Sequence, residues 1–145
     1  MKRIASLLLT LLLGIVFLLP ANEAAAASPT EVINVAKKYL GTPYRYGGMS
    51  PTGFDCSGFV SYSYKKIGVN LPHSADAMFQ RGKKVSKTNL KPGDLVFFNT
   101  GSKKVSHVAI YIGNNKVIHS VSNGVKIDCL NCTYWKTRYI GAKRI

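Results

Sequence analysis

Acidic residues are scarce in this chain: six Asp and Glu stand against twenty Lys and Arg, a formal net charge of +14 at pH 7. So one-sided a field either keeps a protein soluble or draws it to a polyanion, and charge alone does not name the partner. Thiols and imidazoles are few as well, three Cys and three His. The only two close thiols, Cys129 and Cys132, have no third ligand spaced for metal, so neither a zinc site nor any other cofactor is indicated. There is no repeat, low-complexity tract or linker, which argues against a second unit. The one long apolar run, Ile4 to Leu19, is shorter than the ~20 residues a membrane span prefers. No cysteine follows that run, so the usual lipoprotein attachment point is missing.

The run is laid out as a secretory signal peptide. Lys2 and Arg3 precede it, Pro20 and Ala24 to Ala27 follow it, and the alanines offer A-x-A cleavage after Ala26 or Ala27. The expected product is freely secreted or wall-associated, without stable membrane insertion, and acts as a monomer. Removing residues 1–27, with their net +1, leaves 118 residues at +13, enough for one domain with a modest core. In an oxidising space Cys129 and Cys132 of "CLNC" could close on each other, or stand as two reduced packing residues. Either way Cys56 is the odd thiol and needs a reason.

After the leader, Ser28, Pro29 and Glu31 form a helix start, and Val32, Ile33, Ala36 and Leu40 share one face. The pattern predicts an amphipathic helix from Ser28 to Leu40, ended by Gly41. "GTPYRYGGMSPTG" reads as an ordered loop. A second helix begins at Asp55, with Val60, Tyr64 and Ile67 on one face and Gly68 as its stop. Ser74 caps a short third helix, and "KPGD" turns into the apolar strand Leu95 to Phe98. His107 to Ile112 and Lys116 to Val121 flank "GNN" as a hairpin, with weaker strands at Val125 to Ile127 and Tyr139 to Ile140. The lysine pairs Lys83–Lys84 and Lys103–Lys104 are expected in loops. Helices first and an antiparallel sheet after make an α+β fold.

Cys56 thus falls at a helix N-terminus, in "GFDCSGF". A thiol attacks a carbonyl as thiolate, and a helix start supplies partial positive charge and free N–H groups to hold thiolate or oxyanion. The flanking glycines are expected to keep backbone clear of a substrate. Of the three histidines, His107 at the mouth of a strand is the best placed to lean over a helix end and act as base. His73 precedes the third helix and His119 lies inside a strand.

"GTPYRYGG", "DCSGFV", "LKPGDLVFF" and "SHVAIYIGNNKVIHS", in this order, resemble the NlpC-type cell-wall cysteine peptidases over essentially all of Pro29 to Ile145. The resemblance implies a minimal papain-like fold with Cys56 as nucleophile, His107 as base and His119 as the polar residue that orients the base. It implies hydrolysis of peptidoglycan stem peptides, commonly between γ-D-glutamate and the diamino acid. By the same resemblance Asp55 and Ser57 recognise the free amine of the stem's first L-alanine, and Tyr44 lines the site. Asp55 could equally cap the helix, and a carboxylate beside the thiol opposes thiolate formation. Where relatives often carry an arginine after "LP", this chain has His73. For such an exported protein the matching polyanion is teichoic acid, anionic lipid or wall glycan, not nucleic acid.

Spacing alone does not bring His119 to His107. With Asn114 and Asn115 as a two-residue turn, an ideal hairpin sets His119 opposite Ile110, on the other sheet face and ~10 Å along the strand. Only a bulge or a wider turn would join them. Three rival readings stand beside the endopeptidase: a redox protein built on "CLNC", a cationic wall-binding protein without catalysis, and a CHAP-type amidase. The first is disfavoured because a Cys-x-x-Cys nucleophile usually begins a helix after a strand, whereas Cys129 and Cys132 sit late in a strand-rich region just before Trp135.

Overall fold

A computed structural model describes residues 28–101 and 104–145. The leader assigned to residues 1–27 and one member of the second lysine pair, Lys103, lie outside them. Helix α1 spans Pro29–Lys37, with the Ser28 hydroxyl accepting from the Thr30 N–H and Val32, Ile33 and Ala36 buried. It ends a turn earlier than the periodicity predicts, and Leu40 is left 46% exposed. The chain leaves the helix because Gly41, at φ +85°, turns it onto the sheet: the Gly41 N–H donates to the Val125 carbonyl, and the Val125 N–H to that of Thr42.

The glycine-rich segment holds a small hairpin, β1 (Met49–Ser50) with β2 (Gly53–Phe54), and delivers the chain into helix α2, Cys56–Lys65. A short α3 (Ala75–Met78), capped by Ser74, follows as expected. Six further strands are β3 (Lys83–Val85), β4 (Leu95–Phe98), β5 (His107–Gly113), β6 (Lys116–Val121), β7 (Gly124–Cys129) and β8 (Tyr139–Arg144). They form one antiparallel sheet in the order β3-β8-β4-β5-β6-β7. Lys83 and Lys84 therefore belong to an edge strand paired with β8, not to a loop. Lysines are at home on such an edge, which they protect from further pairing.

The sheet is covered on both faces. Leu95, Phe97, Val108, Ile110 and Ile118 meet α1, α2 and α3, while Val96, Phe98, Ala109, Tyr111 and Val117 meet Leu130 and Trp135. Strand β4 lies between these layers, which is why "LVFF" is apolar throughout rather than alternating. The second layer rests on a helix that the sequence pattern does not announce, α4 (Thr133–Arg138). It starts at Cys132, which is joined to Cys129 by a disulfide. Helices on one side of an antiparallel sheet, with this late helix on the other, make the α+β architecture expected. No helix among the described residues is long and apolar enough to cross a membrane.

Candidate active site

Helix α2 begins where Asp55 caps it. The carboxylate Oδ1 accepts the Gly58 N–H at 2.6 Å, and the Asp55 carbonyl accepts that of Phe59. The N–H groups of Cys56 and Ser57 are left free of the cap, and both face the Cys56 sulfur together with the N–H of Val108 on β5. The Cys56 S–H points toward the Ser106 carbonyl at 3.9 Å. The sulfur thus lies against the backbone on both sides of His107, and Cys56 and His107 line one open cleft of about 670 Å³.

The glycines around Cys56 do something other than clear a path for substrate. A Cβ on Gly58 would stand 1.9 Å from the Gly48 carbonyl oxygen, and one on Gly53 would stand 2.6 Å from the Arg45 Cβ. Both are covered by the protein's own loop. They let that loop close onto the helix start, where the Asp55 N–H donates to the same Gly48 carbonyl.

The histidines meet. His107 Nε2 and His119 Nδ1 are 2.9 Å apart, both rings buried. The two-residue Asn114–Asn115 turn is present with both residues at positive φ. The pairing above it slips, however: Ile110 faces Ile118, Tyr111 faces Val117 and Gly113 faces Lys116, leaving Ile112 as an extra residue. This bulge shifts β6 by one position and turns His119 to the face that carries His107, overturning the ideal-hairpin placement. Trp135 clamps both rings, stacked on His107 at 4.9 Å and 25° between planes and lying 4.7 Å from His119.

Asp128 completes the row. Its Oδ2 is 2.7 Å from His119 Nε2, and its Oδ1 is 3.3 Å from Lys126 Nζ. Sequence reasoning missed this residue, a lone acid one position beyond the weak strand expected at Val125 to Ile127. A tight Ser122–Asn123 turn was the available signal, because it pairs Val121 with Gly124, His119 with Lys126 and Val117 with Asp128 on one face.

On the other side of Cys56 a second groove of about 410 Å³ runs past Tyr44, Asp55, Ser57, His73 and Asp76. Ser57 is buried and donates to Asp55 Oδ1 at 3.3 Å, so its hydroxyl is not a solvent-facing one. His73 Nε2 lies 2.8 Å from both Asp55 oxygens. Asp55 is therefore cap and groove wall together, and His73 is its partner across the groove.

Burial sets the electrostatics. It pushes the Cys56 thiol up, against the Val108 and helix-start N–H groups that favour thiolate, and the Asp55 carboxylate adds to the rise. Burial and the neighbouring His119 push His107 down to about 3. His119 is also lowered by burial, with Asp128 opposing. Burial raises Asp128, yet the hydrogen bonds from His119 and Lys126 outweigh it and hold the carboxyl below its usual range. At rest, thiol and imidazoles are neutral and Asp128 is charged. Burial penalises either charge of the Cys56/His107 pair alone, whereas moving one proton between them creates two charges that attract.

Stability should record this. A folded-state histidine pKa below the unfolded 6.5 means that the unfolded chain binds the proton first, so stability falls as pH drops from 6.5 toward 3. His107 should contribute about 1.4 kcal/mol per pH unit across that window. Denaturant unfolding at pH 6, 5 and 4 should therefore show a shallower loss in His107→Gln than in wild type. Equal slopes would mean that His107 titrates normally in the fold.

Comparison with known proteins shows the family. Residues 41–144 match the NlpC/P60 family, and the chain belongs to it. It is 43% identical to the gamma-DL-glutamyl hydrolase of Bacillus subtilis over 128 residues, 86% of this chain and 30% of that protein. It is 41% identical to the murein DD-endopeptidase MepH of Escherichia coli over 133 residues, 86% of this chain and 49% of that protein. The crystal structure of an NlpC/P60 family protein from Bacillus cereus superposes with a TM-score of 0.76 at 40% identity, covering 81% of this chain and 40% of that one. The chain spans about a fifth to a half of the length of such curated relatives.

Proposed function

We propose that this protein is an exported cysteine endopeptidase that cuts peptidoglycan stem peptides, with residues 1–27 as its leader. The observation that carries the reading is the shared cleft: a thiol at the start of a half-buried helix, beside an imidazole whose far nitrogen is bonded to a second imidazole.

In this reading Cys56 Sγ attacks the stem carbonyl as its proton passes to His107 Nδ1, the ring nitrogen not bonded to His119. The Cys56 and Ser57 N–H groups hold the oxyanion. The C–N bond then breaks, His107 protonates the leaving amine, and a thioester remains on Cys56. Water attacks the thioester, gives a proton to His107, and the thiol is restored. His119 keeps the His107 ring in place. The groove lined by Asp55 and Asp76 suits a substrate ammonium group, with Asp55 and Ser57 at its floor and Tyr44 at its rim. A stem that begins with a free L-alanine amine meets that requirement, which favours cleavage after γ-D-glutamate. The +14 charge of the chain suits retention on anionic wall polymer.

The 41% identity to a protein named a DD-endopeptidase favours a second reading, in which the bond cut is a cross-link between stems. Mass spectrometry of two digests separates the two. Stems with a free L-alanine amine, first cut from purified peptidoglycan with an amidase, should yield L-Ala-D-Glu dipeptide on treatment with the protein. Cross-linked stems split into intact single stems would support the second reading, and whole stems freed from untreated peptidoglycan would indicate an amidase.

A further inference from the structure

We propose that Asp128 is a positioning residue that fixes the proton arrangement of both histidines, so that His107 presents an unprotonated Nδ1 to Cys56. The inference deepens the endopeptidase reading and rests on it for its kinetic consequence.

The argument uses the four atoms of the row. An ionised carboxylate can only accept, so the hydrogen bond at 2.7 Å requires His119 to donate from Nε2. A neutral imidazole carries one N–H, which leaves His119 Nδ1 an acceptor. At 2.9 Å its partner, His107 Nε2, must then be the donor. The N–H of neutral His107 is thereby committed, and Nδ1 keeps its lone pair. No step is optional while both rings stay neutral in their apolar box. Without the carboxylate the row can reverse: His119 donates from Nδ1, His107 accepts at Nε2, and His107 Nδ1–H faces the thiol. That tautomer cannot take the thiol proton.

Lys126 makes the point testable. It holds Asp128 Oδ1, the oxygen turned away from His119. In Asp128→Asn the amide oxygen should face the Lys126 ammonium, which aims the amide N–H₂ at His119 Nε2 and drives the row into reverse. Replacing Lys126 by Met in the Asn background frees the amide to turn its oxygen to His119 and restore the forward row. The charged groups facing His119 are Asp128 directly and Lys126 through it, and His107 is its neutral neighbour.

The test pairs a tautomer measurement with kinetics on the 28–145 chain. Nitrogen-15 side-chain NMR should show His107 and His119 both protonated at Nε2 in the wild type and both at Nδ1 in Asp128→Asn. On a stem tripeptide, Asp128→Asn should lower kcat by roughly 10²-fold or more with KM changed by less than about 3-fold, an effect on proton transfer and not on binding. Lys126→Met/Asp128→Asn should regain at least about 10-fold of the lost kcat as the Nε2–H signals return. Asp128→Ala, which imposes neither donor nor acceptor, should give mixed tautomers and an intermediate kcat. Nε2–H tautomers unchanged in Asp128→Asn, or a kcat within about twofold of wild type, would overturn the proposal. Should the tautomers switch as described while the wild type fails to cut any stem peptide, the positioning role stands and the endopeptidase reading falls.

Discussion

Cys56→Ser should reduce stem-peptide cleavage by about 10⁴-fold or more while leaving the far-UV spectrum and melting temperature near wild type. Serine keeps the shape and the helix start, but its hydroxyl is far harder to deprotonate than a thiol. Even the native thiol is already raised by burial and by Asp55. In the proposed reaction a proton moves from sulfur to His107 as the new bond forms, and oxygen in that place would demand a much stronger base. Residual activity within about a hundredfold of wild type would mean that the nucleophile lies elsewhere. Binding to isolated cell walls should survive the substitution, since a cationic surface and not the thiol would hold the protein there.

A second large effect lies two residues along the same helix. Gly58→Ala puts a methyl group 1.9 Å from the Gly48 carbonyl oxygen and 2.9 Å from Asp55 Oδ1. Both partners matter, because Gly48 carries the hydrogen bond from the Asp55 N–H and Asp55 caps the helix. Backbone, unlike the end of a long side chain, cannot swing aside. The loop must lift off the helix, and the substitution should cost about 3 kcal/mol or more, lowering the melting temperature by on the order of 10 °C. Cleavage should fall with it, since the displaced loop carries Tyr44 at the rim of the cleft. Gly101→Ala is the control. Nothing among the described residues lies within 4 Å of its Cβ position, so its stability should stay within about 0.5 kcal/mol of wild type. If Gly58→Ala melts like that control, the close contact between loop and helix is not what holds this end of the cleft together.

These two residues show what could be read in the chain and what could not. Cys56 was legible because local signals coincide at it: a capping Asp55, a helical apolar face behind it, and the only thiol without a near neighbour. The strand at Leu95–Phe98 and the hairpin after His107 were legible from apolar runs and a turn that demands positive φ. Gly58 was misread, because a glycine next to a reactive residue suggests room for a ligand, and only the fold reveals that the room is taken by Gly48.

His119 and Asp128 depend on register, which composition does not disclose. A single bulged residue, Ile112, decides which face His119 occupies. Helix α4 has no apolar periodicity of its own, with Trp135 the one side chain it buries. Its docking on the imidazoles, and the Cys129–Cys132 link at its start, are tertiary contacts. Acid scarcity also acquires a reason. Of the few carboxylates in the described chain, Asp55, Asp94 and Asp128 are each engaged, with His73, Arg144 and His119 respectively.

The most direct test of the account is the mass of the protein itself during turnover. Rapid acid quench of the 28–145 chain with excess stem tripeptide, followed by intact and peptide mass analysis, should reveal an adduct equal to the acyl fragment, carried on the Cys56 peptide. The adduct should appear as fast as the first equivalent of amine product. Amine release in the first turnover with Cys56 unmodified throughout would contradict a thioester path and, with it, the central role given to this thiol.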